Sequence, residues 1–278
     1  MRRLIWKLAR RAYMLARGEP LTNLPDTSGE VYMQDRMALV LAGRTAPVVL
    51  DVGGNLGQWT LQFLDIARKT PGFDMDGLRY FVFEPVPATR ERLTANIADA
   101  GWAHMAHVEP FALSDRVGTA HINILGAATS GRNSIVDGLL AAEADVERIA
   151  IETTTIDMIC AREGIDRIDF VKIDAEGHDF AVISGAAELL AREAVDVIQF
   201  EYTKRWIDSR TFLKDVFATL EGTPYVLARI RPRGLEVFAA WHAEMERFFA
   251  ANYAIVHPRA LGHFAVRRGR FDASNTYA

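Results

Sequence analysis

Apolar residues gather in short, nearly continuous runs that alternate with amphipathic stretches. VVLDV (48–52) is followed by a helical pattern over about 57–68, and RYFVFE (79–84) by another over about 87–100. HVEPFAL (107–113) forms a third run. IDFVKID (168–174) precedes a helical pattern over 178–192, and VDVIQFEY (195–202) precedes one over about 208–221. Runs of Val, Ile and Phe without polar alternation suit strands covered on both faces, as in parallel sheets. Their alternation with helices predicts an α/β fold, a doubly wound and mostly parallel sheet with helices on both faces. Val237, Phe238, Trp241, Met245, Phe248 and Phe249 recur at helical spacing. They read as core or as a face for a second copy, so a homo-oligomer stays open. No internal repeat or low-complexity tract interrupts the pattern.

The chain has 278 residues, 50% of them hydrophobic and 24% charged, enough for a sizeable core and too apolar for a disordered chain. Its single cysteine, Cys160, cannot form an intramolecular disulfide, so a reducing, cytoplasmic setting is expected. No apolar run reaches the ~18 residues that would span a bilayer. The formal charge of −4 argues against nucleic acid as a partner. That charge is unevenly spread. Residues 1–18 hold Arg2, Arg3, Lys7, Arg10, Arg11 and Arg17 with no acid, which leaves −10 on the remainder, 26 Lys and Arg against 36 Asp and Glu. Interleaved with Leu4, Ile5, Trp6, Leu8, Tyr13, Met14 and Leu15, they predict a basic amphipathic helix. Such a helix either packs on its own domain or touches the inner face of a membrane peripherally. Residues 18–30 read as a linker, so 1–30 is expected as a helix with its linker and 31–278 as the main domain.

The chemistry begins at the end of the first strand. Asp51-Val52-Gly53-Gly54-Asn55-Leu56-Gly57 is a strand-to-helix turn whose glycines permit positive φ and close approach of a ligand to the backbone. The spacing is not that of a dinucleotide-binding turn, and no Gly-Lys-Ser/Thr follows to cradle phosphate. An acid at the strand's end suits a ligand carrying an ammonium and a sulfonium, as S-adenosylmethionine does. Glu84 stands at the tip of the second strand, where a carboxylate can accept both ribose hydroxyls. Its distance in sequence from the turn is attributed to an inserted loop over 65–78. Ser114 and Asp115, after the third strand, form a short polar pair suited to an adenine edge or to a turn.

The densest polar constellation is Lys172-Ile173-Asp174-Ala175-Glu176-Gly177-His178-Asp179. Alternation puts Lys172 and Asp174 on one face, with Asp174 at the carboxyl tip where such sheets bind ligands. Asp174 and Glu176 read as substrate or cofactor ligands. Either could also act as a base or hold a divalent cation, although no metal is expected. His178 is the natural general base for deprotonating an alcohol near neutral pH.

These residues resemble the FkbM family of S-adenosylmethionine-dependent methyltransferases. The pattern runs through DVGGNLGQWT (51–60), FEPVPATRERLTANI (83–97), ALSD (112–115), TTIDMI (154–159), DFVKIDAEGHDFAVISGAAELL (169–190) and QFEY (199–202). A weaker echo lies in Asn252-Tyr253-Ala254-Ile255-Val256. The resemblance implies a class I methyltransferase, a Rossmann-like sheet of seven strands with the last one antiparallel. It implies methyl transfer from S-adenosylmethionine to a hydroxyl of a sugar, glycan, glycolipid or secondary metabolite. Asp51, Gly53, Asn55 and Gly57 would line the methionine part of the cofactor and Glu84 the ribose. The sequence departs at Asp179, where the family often has Glu. Residues 116–152, with Gly131-Arg132-Asn133-Ser134, are weakly anchored and suggest a hairpin or a lid over the acceptor. Two other classes remain beside this reading: an NAD-dependent oxidoreductase on a similar sheet, and a non-catalytic membrane-surface protein that retains the fold.

Overall fold

A computed structural model describes residues 1–19, 25–125, 133–136, 146–272 and 277. The chain starts with α1 (Arg2–Arg17), α2 (Pro25–Ser28) and α3 (Glu30–Leu41). It continues through β1 (Val48–Val52), α4 (Gln58–Lys69), β2 (Arg79–Phe83), α5 (Pro87–Asp99), β3 (Ala106–Glu109) and β4 (Ala112–Leu113). Then come β5 (Gly118–Leu125), β6 (Val146–Thr154), α6 (Ile156–Glu163), β7 (Ile168–Ile173), α7 (Asp179–Ser184) and α8 (Ala187–Ala191). The last part holds β8 (Val195–Tyr202), α9 (Arg205–Ser209), α10 (Leu213–Thr219), β9 (Val226–Arg231), β10 (Gly234–Phe238), β11 (Ala251–Val256), α11 (Pro258–Leu261) and β12 (Val266–Gly269).

The main sheet has the order β12-β10-β9-β11-β8-β7-β1-β2-β3. From β3 to β8 all pairs are parallel, and β11 is antiparallel to both β8 and β9. This is the expected class I methyltransferase arrangement, with β11 reversed between β8 and β9. The expected count of seven is corrected to nine, because β10 and β12 extend the sheet beyond β9. The extension corrects a second expectation. Val237 and Phe238 lie in β10 rather than on a helix, since Pro232-Arg233 turn the chain back so that Arg231 pairs with Gly234. Only a 3-10 turn (Ala243–Met245) is helical in that stretch.

Both faces of the sheet are covered, as the runs predicted. Val48, Leu50 and Val52 face α6, α7, α8 and α10, while Val49, Phe170 and Val197 face α3, α4 and α5. Three predicted elements are broken. Pro110 lacks an N–H and divides 107–113 into β3 in the main sheet and β4 in a small sheet of order β4-β6-β5. The helix expected over 178–192 is two helices, because Gly185 passes so close to Ser114 that a Cβ there would lie 2.0 Å from the Ser114 carbonyl oxygen. The helix expected over 208–221 is broken at Arg210, which adopts a left-handed conformation (φ 57°). The loop placed over 65–78 is shorter than expected: α4 runs to Lys69, and Arg68 and Lys69 both reach Asp65. Within 116–152, β5 and β6 form an antiparallel hairpin, and Ser134 bridges back to Asn123. Gly131 and Arg132 lie outside the described residues. Among the described residues no helix is long and apolar enough to cross a membrane.

Candidate functional site

A cleft opens at the carboxyl edge of the sheet, between the tips of β1, β2 and β7 and the small sheet. The glycine turn forms its rim. Gly53 has φ 79°, and a Cβ there would fall 2.1 Å from the Asp174 carbonyl oxygen. Both Gly53 and Gly54 donate to the Phe83 carbonyl at 3.0 Å. Glycine is therefore required where the three strand tips converge, and its absence of a side chain leaves the backbone open to the cleft.

Beneath the turn lies a buried row of charge. Asp51, Lys172 and Gln199 are register partners across β1, β7 and β8, so they share one face of the sheet. Asp51 is fully buried; its Oδ2 accepts from Thr60 Oγ1 at 2.6 Å and its Oδ1 lies 3.2 Å from Lys172 Nζ. Lys172 Nζ is also 3.6 Å from Asp174 Oδ2 and 3.4 Å from the Gly53 carbonyl. Gln199 Nε2 donates to Glu30 Oε1 at 3.3 Å, which brings the first residue of α3 into the row. Burial opposes the Lys172 charge, but Asp51, Asp174 and Glu30 outweigh it and raise its pKa. Burial raises the Glu30 carboxyl. Three carboxyl groups thus surround one ammonium, leaving a field that favours a cation in the adjoining cleft.

On the opposite wall, Glu84 is 6% exposed and accepts backbone N–H groups on both oxygens, Val86 on Oε1 and Asn55 on Oε2, each at 3.0 Å. Burial pushes its pKa up to about 7 in spite of those donors. The acid is held rigidly with lone pairs to spare, the arrangement a pair of vicinal hydroxyls requires.

The loop after β7 is folded by Asp179. That carboxylate is 1% exposed, accepts from Gly177 N at 3.1 Å and Ala175 N at 3.4 Å, and is pushed up to about 7 by burial and by Asp174. Asp179 therefore closes the loop through two backbone donors. Glu176 has φ 53°, and its Oε2 meets Arg205 Nε at 2.7 Å, so its carboxylate is already engaged. His178 Nε2 lies 2.9 Å from Ser114 Oγ, and Ser114 Oγ lies 3.1 Å from Asp115 Oδ1. A hydroxyl has one proton; given to Asp115, it leaves Ser114 to accept from His178 Nε2–H, with Nδ1 as the basic nitrogen. Burial lowers the His178 pKa, which keeps the ring neutral.

Of the residues expected at the site, Gly53, Asn55, Glu84, Asp174, Glu176 and His178 line the cleft. Asp51 sits below its floor, and Gly57 caps α4 outside it. Ser114 is buried behind His178, while Asp115 is turned more to solvent. Residues that the sequence does not single out for the site include Glu30, Thr60, Gln199 and Arg205, as well as Phe111 and Ile135 on the walls, where Asn133 of the segment expected as a hairpin or lid also lies. Ser134 Oγ donates to the Glu176 carbonyl at 2.7 Å, which holds residues 133–136 against the cleft. Nothing in the local sequence marks Glu30 or Arg205, whose significance comes from residues more than a hundred and about thirty positions away.

The family model of the FkbM methyltransferase domain matches residues 51–250. The 2-O-methyltransferase NoeI of Sinorhizobium fredii is 26% identical over 167 residues, 56% of this chain; the match spans 64% of that relative's length. Among solved structures, the methyltransferase FkbM from Methylobacillus flagellatus is 15% identical with a TM-score of 0.46, over 76% of this chain and 43% of that one. The O-methyltransferase from Bacillus cereus, in complex with SAH, is 12% identical with a TM-score of 0.41, over 81% of this chain and 80% of its own.

Proposed function

The chain belongs to the FkbM methyltransferase family, and we propose that it transfers a methyl group from S-adenosylmethionine to a hydroxyl of a sugar, glycan, glycolipid or secondary metabolite. The observation that carries the reading is the two-sided cleft: Glu84 with free lone pairs on one wall, and an excess of carboxylate around Lys172 on the other. The first suits a ribose diol, the second a ligand with a positively charged sulfur and an ammonium. A 2-O-methyltransferase among the relatives supports direction toward oxygen.

When bound, the cofactor supplies a methyl group activated by its sulfonium. Glu84 would hold the ribose, the Gly53–Asn55 backbone and Asp174 the amino-acid end, and Leu113 with Phe111 the base. The chain's chief contribution is alignment, since fixing both reactants removes most of the entropy cost of their meeting. His178, neutral and basic at Nδ1, accepts the acceptor's proton; Asp174 is the second candidate. Glu176, held by Arg205, positions the loop. Residues 133–136 cover the acceptor side, with Ser134 tied to Glu176.

Calorimetry and thermal melting with S-adenosylhomocysteine and NAD test the reading. At about 100 times Kd, a specific ligand stabilises by ~2.7 kcal/mol. S-adenosylhomocysteine should raise the melting temperature and NAD should not; the reverse result removes the proposal. Acceptor identity follows from mass spectrometry of host extracts, as a product heavier by one CH₂.

A further inference from the structure

Residues 1–12 are all exposed, although α1 carries a well-defined apolar side. At about 100° per residue, Leu4, Ile5, Leu8 and Leu15, together with Ala9, Ala12 and Ala16, fall within one arc of roughly 140°. Those four side chains are 58–65% exposed, and Trp6 is 62% exposed. The six basic residues occupy the rest of the circumference. The body of the protein takes the flank opposite the leucines. Tyr13 packs edge-on to Phe249 at 6.2 Å, and the Arg10 guanidinium lies 5.0 Å from the same ring.

The helix is nonetheless held firmly at its root. Gly18 ends it in a left-handed conformation, and Arg229 and Arg231 donate to the carbonyls of Arg17 (2.6 Å) and Gly18 (3.2 Å). Arg229 is itself fully buried between Glu19 and Glu236. A rigidly mounted helix with its apolar arc turned away from the core is matched to something outside the fold. Its charge states the chemistry of that partner: six cations and no acid on α1, on a chain whose remainder is strongly acidic.

We propose that α1 docks the protein on an anionic lipid surface. The leucine arc enters the boundary between headgroups and acyl chains, and the arginines meet headgroup phosphates. Sixteen residues carrying six charges lie on such a surface and do not cross it. The location is consistent with a working orientation. Phe249 leads into β11, whose first residue pairs with Tyr202 at the carboxyl tip of β8, so α1 sits at the same edge of the sheet as the cleft. The proposal does not rest on the methyl-transfer reading.

The test is flotation of the full chain with vesicles of phosphatidylcholine alone and with about 30% phosphatidylglycerol added. The protein should float with the anionic vesicles, stay behind with the neutral ones, and be released by raised salt. Leu4→Glu/Leu8→Glu should lower partitioning at least ~10-fold, the loss of two buried apolar contacts. Arg3→Gln/Lys7→Gln should lower it by about 5-fold per charge. Both variants should keep the parent melting temperature and affinity for S-adenosylhomocysteine, since none of these side chains packs in the core. Absence of flotation at low salt, or a Leu4→Glu/Leu8→Glu variant that floats like the parent, overturns the proposal. A dimer that this variant converts to monomer would assign the arc to a second copy and overturn it equally.

Discussion

Lys172→Met is the most informative perturbation of the buried charge row. Methionine keeps the length and apolar stem of lysine, so the change removes the ammonium with little loss of volume. Asp51 is fully buried and would keep only the Thr60 hydroxyl, at 2.6 Å, as a donor. Asp174 would lose a cation 3.6 Å away, and Glu30 would lose the charge that opposes its desolvation. Removing one partner from a buried pair costs about 3–5 kcal/mol. For 278 residues at ~2.1 cal/mol/K per residue, the entropy of unfolding is about 0.6 kcal/mol/K, so melting should fall by roughly 5–9 °C. Asp51→Asn in the same chain removes the stranded charge, and the double variant should recover at least ~1.5 kcal/mol relative to the sum of the single changes. Thermal and urea denaturation of the four proteins measure the cycle. A Lys172→Met melting temperature within ~2 °C of the parent, or strict additivity, would refute the idea that the row is electrostatically coupled.

Three further outcomes are expected. With Glu84 near 7, its carboxyl is mostly protonated below that pH and ionised above it; ribose hydroxyls donate to the ionised form, so S-adenosylhomocysteine affinity should rise about tenfold between pH 6 and 8 with proton release at the lower end. Glu84→Gln should flatten that profile in calorimetry, and a profile as steep as the parent's would assign the pH dependence elsewhere. Gly53→Ala, whose Cβ would strike the Asp174 carbonyl, should lose at least ~2 kcal/mol in urea denaturation; an unchanged midpoint would mean that the turn is not constrained as described. His178→Ala should lower kcat about 100-fold or more at saturating substrates with melting preserved, whereas full turnover would pass the base role to Asp174.

The elements legible in the sequence are those whose cause is local. Strand runs at 48–52, 79–84, 168–174 and 195–202 announce burial on both faces by composition alone, and DVGGNLG announces a turn because few residues other than glycine adopt its backbone. Glu84 and Asp174 are legible because they stand at strand tips, which can be located from the runs that precede them, and His178 because it follows closely in the loop after β7. What escaped was set by partners remote in the chain. Pro110 splits a strand because its two halves join different sheets; Gly185 breaks a helix because Ser114 passes beneath it; Val237 and Phe238 imitate helical spacing but pair with β9. Glu30 joins the site through Gln199, and Arg205 through Glu176, pairs that no periodicity encodes. Periodicity and backbone preference act within a few residues, so the sequence alone places the main strands, helices and turns, but not the breaks and pairings imposed by distant segments. Which carboxylates crowd one ammonium, and which are held away from the cleft, depends on contacts between distant segments, and only the folded chain decides them.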